Sequence, residues 1–331
     1  MKRSIKNTNV CVVGGAGFLG SHLVNYLIEE RKCNVLVLDN LITGQKRLIH
    51  PKAIFEHVDI TDSEEHLGKL FRHHKIKYVF NYAAEPYIPL SFVRPIYVFN
   101  INAFGAFKVI NAAWEAGVEA ILQVSSAEIY GDAKGKVNED APVHPHSTYG
   151  AAKAAIDSMV QVRWKEAKTP VIAMRQFNCV GERETHPYII PEIIKQISEV
   201  PAHIVKGSKK GNMKVQVKLG SNSFRDFQYA GDAVAMAVEL LEKGKFGEVY
   251  NMGSEEGVKM YDLAVQIGKL MRVNVEVIED KSRIRPWEIW HLQSDNTKLY
   301  KTISYRPKVK LEEALKKTIE WFRQNGSKWD F

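Results

Sequence analysis

A tyrosine and a lysine four residues apart, in Tyr149-Gly-Ala-Ala-Lys153, open a stretch of good helix formers. That spacing puts both side chains on one face of a helix. A phenol titrates near ~10 when unperturbed and is a poor base at neutral pH. A neighbouring ammonium favours its phenolate, which can take the proton of a carbinol while the carbon gives up hydride. The spacing alone has little specificity, because Tyr130-Gly-Asp-Ala-Lys134 repeats it. Gly135 and flanking turn residues argue against a helix there, so Tyr130 and Lys134 are read as a coincidence. Ser125 and Ser126 end the apolar run ahead of Tyr130. In a doubly wound sheet such a strand end faces ligand. One hydroxyl can therefore bridge substrate and Tyr149; capping of a turn is the other reading.

A departing hydride needs an acceptor. The first apolar run leads into Gly14-Gly15-Ala16-Gly17-Phe18-Leu19-Gly20, which reads as G-x-G-x-x-G from Gly15 and G-x-x-G-x-x-G from Gly14. Glycines allow the tight strand-to-helix turn and the close approach of a pyrophosphate, and the helix N-terminus presents free N–H groups to it. Nineteen residues past Gly20 the second run ends at Asp39, followed by Asn40. A carboxylate there accepts from the ribose hydroxyls of NAD and repels the 2′-phosphate of NADP. No Arg or Lys stands at either position to rescue that phosphate. NAD is the expected cofactor; an ordinary βα turn ending in Asp is the plain alternative.

These residues need a frame to hold them. Apolar, β-branched and aromatic runs at residues 10–13, 35–38, 54–58, 78–82, 121–124 and 171–174 mostly lack period-two polarity, as strands buried on both faces should. Helix-period stretches at 18–30, 64–74, 96–116 and 149–167 alternate with them. The expected class is α/β, a Rossmann-type doubly wound parallel sheet. After Phe177 the pattern loosens, and a smaller, mainly C-terminal α/β domain is expected. Residues 1–178 form the first domain, rejoined by about 225–254; residues 179–224 and 255–331 form the second. Strand-like Val249–Met252 is the segment suited to rejoin the sheet. Helices are expected near 233–243, 263–271 and 311–324.

Bulk properties narrow the function. The 331 residues are 45% hydrophobic and 25% charged, as in ordinary globular proteins. No stretch is apolar enough to span a bilayer, and the basic, polar first nine residues precede too short an apolar run for a secretory signal. A cytoplasmic enzyme is expected, with no membrane association. Cys11, Cys33 and Cys179 are odd in number and far apart, which suggests neither a disulfide framework nor zinc. The net charge of +8 reads as solubility or as a preference for a phosphate-bearing ligand. Lys206-Gly-Ser-Lys-Lys210 is short and glycine-rich, a loop tip rather than a nucleic-acid surface. His73-His74 and His144-Pro-His146 lack carboxylate or cysteine partners at ligand spacing, so no metal is expected.

Taken together, the motifs resemble those of the extended short-chain dehydrogenase/reductases, in the NAD-dependent nucleotide-sugar epimerase/dehydratase branch. Gly14–Gly20, Asp39, Asp59-Ile60, Ala83-Ala84, Asn102, Ser125–Gly131, Tyr149–Lys153, Arg175-Gln-Phe-Asn178, Arg225-Asp226-Phe227 and Arg285-Pro286 fall in family order over nearly the whole length. The resemblance implies a nucleoside-diphosphate sugar as substrate, bound by the second domain. It places Asp59 and Ile60 at the adenine, Ala83 and Ala84 beside the NAD phosphates, and Asn102 in support of the cofactor. It makes Ser126 the catalytic hydroxyl and gives Asn178, Arg225 and Arg285 to the substrate's diphosphate and nucleoside. Arg183 joins that set, beside Glu182, which stands where the family usually has proline and bears on substrate fit. Surface ion pairing is the alternative use of the arginines.

All branches of this family begin by oxidising C4 of the sugar. A 4-epimerase returns hydride to the other face, a C4 dehydrogenase releases the ketone, and a 4,6-dehydratase removes C5–H and loses water from C6. Glu128 lies where dehydratases place the C5 base, and a related decarboxylase branch keeps it too. Many dehydratases carry an aspartate just before it; here that residue is Ala127. The segment from Arg285 to Asn296 resembles the carboxyl-terminal motif of dehydratases acting on amino-sugar or GDP-sugar substrates. Dehydration is therefore the expected reaction, ahead of dehydrogenase and epimerase; an NAD-binding scaffold is the contrasting non-enzymatic role. Relatives dimerise through helices equivalent to 96–116 and 149–167, so a homodimer is expected.

Overall fold

The computed structural model describes residues 3–185, 187–200 and 214–325. The lysine-rich segment 206–210 lies outside the described residues. The chain lays down β1 (Asn9–Val13), β2 (Asn34–Asp39), β3 (Ile54–His57), β4 (Tyr78–Asn81) and β5 (Ala120–Ser126), then a short β6 (Lys136–Val137), β7 (Val171–Gln176) and β8 (Asn178–Val180). It continues through β9 (Lys214–Leu219), β10 (Phe224–Tyr229), β11 (Val249–Met252), β12 (Gly257–Lys259), β13 (Asn274–Glu279) and β14 (His291–Ser294). Seven strands form one sheet in the order β3-β2-β1-β4-β5-β7-β11, with every neighbouring pair parallel. The expected α/β class and doubly wound parallel sheet are what the chain adopts.

Strand alternation sorts the apolar residues onto the two faces. Val10, Val12, Val35 and Val37 pack with Leu23 and Leu27 of α1 (Phe18–Glu29) and with Leu240 of helix Ala230–Lys243. Cys11, Val13, Leu36 and Leu38 pack with α2 (Glu64–His73) and with helices further along the chain. These are α5 (Ala106–Glu115) and the long α6 (Thr148–Ala167); α3 (Ile88–Val93) and α4 (Pro95–Phe99) come before them in the chain. The single helix expected over 96–116 is interrupted: residues Asn100–Gly105 are π-helical. The wider turn accommodates an inward Asn102, and π segments of this kind gather at functional positions.

Val249–Met252 joins the large sheet beside β7. The stretch expected to return from residue 225 begins differently, because β10 pairs with β8, β12 and β14 in a second sheet. There the buried Asp226 accepts from the backbone N–H groups of Ser254, Glu255 and Ser294. A third core joins α7 (Ile189–Ser198) to helices Met260–Met271 and Leu311–Asn325.

Tyr130 sits on a 3₁₀ turn, Ala127–Tyr130. Its hydroxyl donates to Asn251 Oδ1 at 2.6 Å and accepts from Arg175 Nη1 at 2.8 Å, while Lys134 is exposed. The second Tyr/Lys spacing is thus structural. Arg175 also grips the carboxylate of Asp157 through Nε (3.2 Å) and Nη2 (2.8 Å), deep in the core. Removing one partner strands a buried charge. Asp157→Ala is expected to cost about 3–5 kcal/mol in urea unfolding, and Tyr130→Phe about 1–3 kcal/mol.

Candidate active site

The carboxyl ends of the strands open into one cleft of about 1090 Å³, at the point where strand order reverses between β1 and β4, as doubly wound sheets place their ligand sites. Its floor at one end is the turn from β1 into α1. Gly14 has φ +81°, and a Cβ there would lie 2.6 Å from the Ala83 backbone N; at Gly20 it would lie 2.0 Å from the Gly14 carbonyl oxygen. Only glycine fits either place. Gly17 caps α1 without a side-chain hydrogen bond, so the first N–H groups, at Phe18 and Leu19, face the cleft they line. An uncapped helix end over a glycine cradle fits a pyrophosphate.

Asp39 lines the same end. Ala16 N–H donates to its Oδ2 and Leu41 N–H to its Oδ1, each at 2.9 Å. Burial raises its pKa despite those two bonds. Each oxygen keeps a lone pair for a ligand hydroxyl. Asn40 Nδ2 donates to Asp59 Oδ2 at 2.7 Å. Asp59 titrates below its usual value: its partial burial opposes this, but bonds from Thr61 and Asn40 prevail. Asp59 itself does not line the cleft; Ile60 beside it does. Asn102 also stands behind the wall. Its Oδ1 accepts from Glu85 N–H and its Nδ2 donates to Glu85 O, both at 2.9 Å, which holds the Ala83-Ala84-Glu85 segment in place.

At the centre, Ser147 caps α6 by accepting from Gly150 N–H at 3.0 Å. A Cβ on Gly150 would lie 2.8 Å from the Glu128 carbonyl oxygen, so α6 can seat directly against the 3₁₀ turn. This brings Tyr149 to Ser126, whose hydroxyl hydrogen-bonds to the phenol and accepts from Glu128 N–H at 3.2 Å. Of the two serines, Ser126 meets Tyr149; Ser125 donates to Lys153 O at 3.4 Å. Lys153 Nζ donates to Val124 O at 3.2 Å and lies 5.8 Å from the Tyr149 ring centre.

Burial sets the protonation of both groups. Burial raises Tyr149 to about 12, with the Ser126 bond pulling the other way, and burial lowers Lys153 to about 8. Each group is pushed toward its neutral form because water is excluded from both.

Toward the second sheet, Arg285 Nη1 donates to Glu128 Oε1 at 3.3 Å. Arg225 Nη2 donates to Ile289 O at 2.7 Å and meets Glu288 at 3.4 Å. Asn178 and Arg183 line the wall between. Glu182 does not: the Tyr229 hydroxyl donates to its carboxylate at 3.1 Å, away from the cleft. Sequence reasoning missed Glu85, Glu184 and Tyr188, which also line the cleft. Glu85 follows directly on Ala83-Ala84; the other two lie in an irregular turn with no local signature.

Sheet order, glycine cradle and buried Tyr149/Lys153 pair define an extended short-chain dehydrogenase/reductase. The family model described as GDP-mannose 4,6 dehydratase matches residues 11–318, and the chain belongs to that family. The dTDP-D-glucose 4,6-dehydratase of Mus musculus is 32% identical over 334 residues, covering 97% of this chain and 90% of the mouse protein. Among solved structures, the Thermotoga maritima UDP-glucose 4-epimerase with UDP-glucose superposes with a TM-score of 0.85 at 27% identity, covering 96% of this chain and 99% of that one. The Thermus thermophilus UDP-glucose 4-epimerase complex with NAD gives 0.83 at 27% identity, with coverage of 96% and 99%.

The lowered Lys153 has a measurable consequence. Between about 8 and 10.5 the folded chain has released a proton that the unfolded chain keeps, so stability rises with pH across that window. Relative to Lys153→Met, the wild type is expected to gain stability from the lower to the upper value and to differ by a constant amount below it. Urea unfolding of both proteins at neutral and alkaline pH checks this.

Proposed function

We propose that the chain catalyses NAD-dependent oxidation at C4 of a nucleoside-diphosphate sugar and carries it through as a 4,6-dehydratase, to a 4-keto-6-deoxy sugar. The observation that carries this is one cleft holding the Ser126-bonded phenol of Tyr149 together with the carboxylate of Glu128. The glycine cradle fits the dinucleotide, with Asp39 and Asn40 at its ribose, Asp59 and Ile60 toward the adenine, Ala83 and Ala84 beside the phosphates, Asn102 behind them, and Ser125 and Lys153 near the reacting end. When bound, NAD supplies the hydride acceptor at C4 and the hydride that completes the reaction.

The chain's own residues supply the rest. Tyr149 takes the C4 hydroxyl proton, with Ser126 orienting that hydroxyl. Glu128 then takes the proton from C5, made acidic by the new ketone, and passes it to the C6 hydroxyl, which departs as water and leaves a C5–C6 double bond; C5 regains a proton, balancing the one Tyr149 took, as hydride adds at C6. Asn178, Arg183, Arg225 and Arg285 supply donors, the arginines charge-assisted ones, for the diphosphate and nucleoside. Ala127 is buried and offers no acid beside Glu128, which favours a second reading: a C4 dehydrogenase releasing the ketone, or a 4-epimerase.

The enzyme works in this reading as a cytoplasmic homodimer. Cys11, Cys33 and Cys179 are free and buried, in keeping with a reducing compartment, and no helix among the described residues is long and apolar enough to cross a membrane. Ile96 is 85% and Phe104 60% exposed, on the helical segment expected at the dimer interface, with Trp114 and Val162 on α5 and α6. Light scattering is expected to give twice the 37.6 kDa chain mass, and Ile96→Glu to shift it toward the monomer.

With UDP-, GDP-, CDP- and dTDP-sugars, mass spectrometry is expected to find a product lighter by one water. Glu128→Gln stops that loss while C4 oxidation continues. Tyr149→Phe lowers turnover by roughly 10²–10⁴-fold, and Tyr130→Phe leaves the chemistry intact. An isomer of unchanged mass decides for the epimerase.

A further inference from the structure

Glu184 is a cleft carboxylate for which the chemistry above has no use. It lies in the turn between β8 and α7, one residue after Arg183, which adopts φ +71°. This left-handed conformation is disfavoured for a side-chain-bearing residue. The turn it makes delivers Glu184 into the cleft wall. The residue is only 5% exposed, and its Oε2 is sealed from solvent with no hydrogen-bond partner among the described residues. The other buried cleft carboxylates have partners. Glu128 has Arg285, Glu85 accepts from Tyr87 N–H at 3.1 Å, and Asp39 has its two backbone donors.

A buried polar group without a partner is costly, and such orphans call for an explanation. Burial holds the Glu184 carboxyl well above its usual pKa. It is therefore an acid that can donate through its O–H and accept through its other oxygen. Its electrostatic neighbours locate it along the cleft. Tyr188 feels Glu184 and also Tyr149 and Glu85, and Cys179 feels Glu184 as well. Glu184 thus lies on the Tyr149 and Glu85 side of the cleft.

We propose that Glu184 is a specificity-determining residue, which hydrogen-bonds a polar substituent of the substrate's pyranose ring and so selects the sugar. The proposal rests on the sugar-nucleotide reading above. A site that satisfies a buried polar group through one substituent rejects sugars lacking it, because the protein group is then left unpaired.

The test uses whichever of UDP-glucose, dTDP-glucose and GDP-mannose the wild-type chain binds. Calorimetry compares that sugar nucleotide, its bare nucleoside diphosphate, and NAD, on wild type, Glu184→Gln and Glu184→Leu. Glu184→Leu is expected to weaken the sugar nucleotide by roughly tenfold to a hundredfold and to leave the bare diphosphate and NAD nearly unchanged. Glu184→Gln, which keeps a donor and the shape, loses much less. The melting temperature of Glu184→Leu is expected to hold or rise, since a costly orphan has gone; a merely structural residue would lower it. If Glu184→Leu fails to fold, Glu184→Ala takes its place with the same ligands. Equal weakening of sugar nucleotide and bare diphosphate, weakening of NAD alone, or no change at all overturns the proposal. A wild type that binds none of the three sugar nucleotides defeats the broader reading and this one together; a wild type that binds while Glu184→Leu is indifferent defeats this one alone.

Discussion

Exclusion of water from the floor of the cleft sets the protonation of nearly every group there. The strands beneath it are apolar on both faces, so the residues at their carboxyl ends meet a low-dielectric wall on one side and the cleft on the other. Burial raises Tyr149, Asp39, Glu85 and Glu184 and lowers Lys153, and in each it is the largest cause. Charge is costly in such a place unless it is paired. A phenol held near 12 is neutral at neutral pH; in the proposed chemistry it would act as a base once a ligand's positive charge lay beside it.

That floor is held by rigid elements. Asn102 clamps the backbone of Glu85 from a π turn. Ser147 caps α6, and Gly150 lets it seat against the turn that carries Glu128. Arg175 joins Asp157 to Tyr130, and Asp226 gathers three backbone N–H groups where β10 and β14 meet the turn after β11. Sites built on strand ends and helix starts, with their supports hydrogen-bonded, hold their geometry better than sites on loops.

The two walls of the cleft differ in how they treat carboxylates. On one, Arg285 pairs with Glu128. On the other, the turn after β8 brings in Glu184, whose Oε2 has no partner among the described residues, while its neighbour Glu182 turns away to Tyr229. The departures from the usual family pattern, Ala127 and Glu182, therefore act differently. Ala127 sets a buried apolar side chain beside Glu128, whereas Glu182 is spent on anchoring the turn.

Sequence alone determined the succession of strands and helices that build the large sheet, the glycine cradle, Asp39, and which of two identical Tyr/Lys spacings is helical. Those features are local: a strand buried on both faces, a turn only glycine can make, and a helix with its breakers are written in neighbouring residues. Tertiary structure alone decided that burial raises the phenol, that β10 belongs to the second sheet, and that Glu184 lines the cleft with its Oε2 unpartnered among the described residues. Each of these depends on groups far apart in the chain and on how completely water is shut out between them, and neither spacing nor composition encodes that.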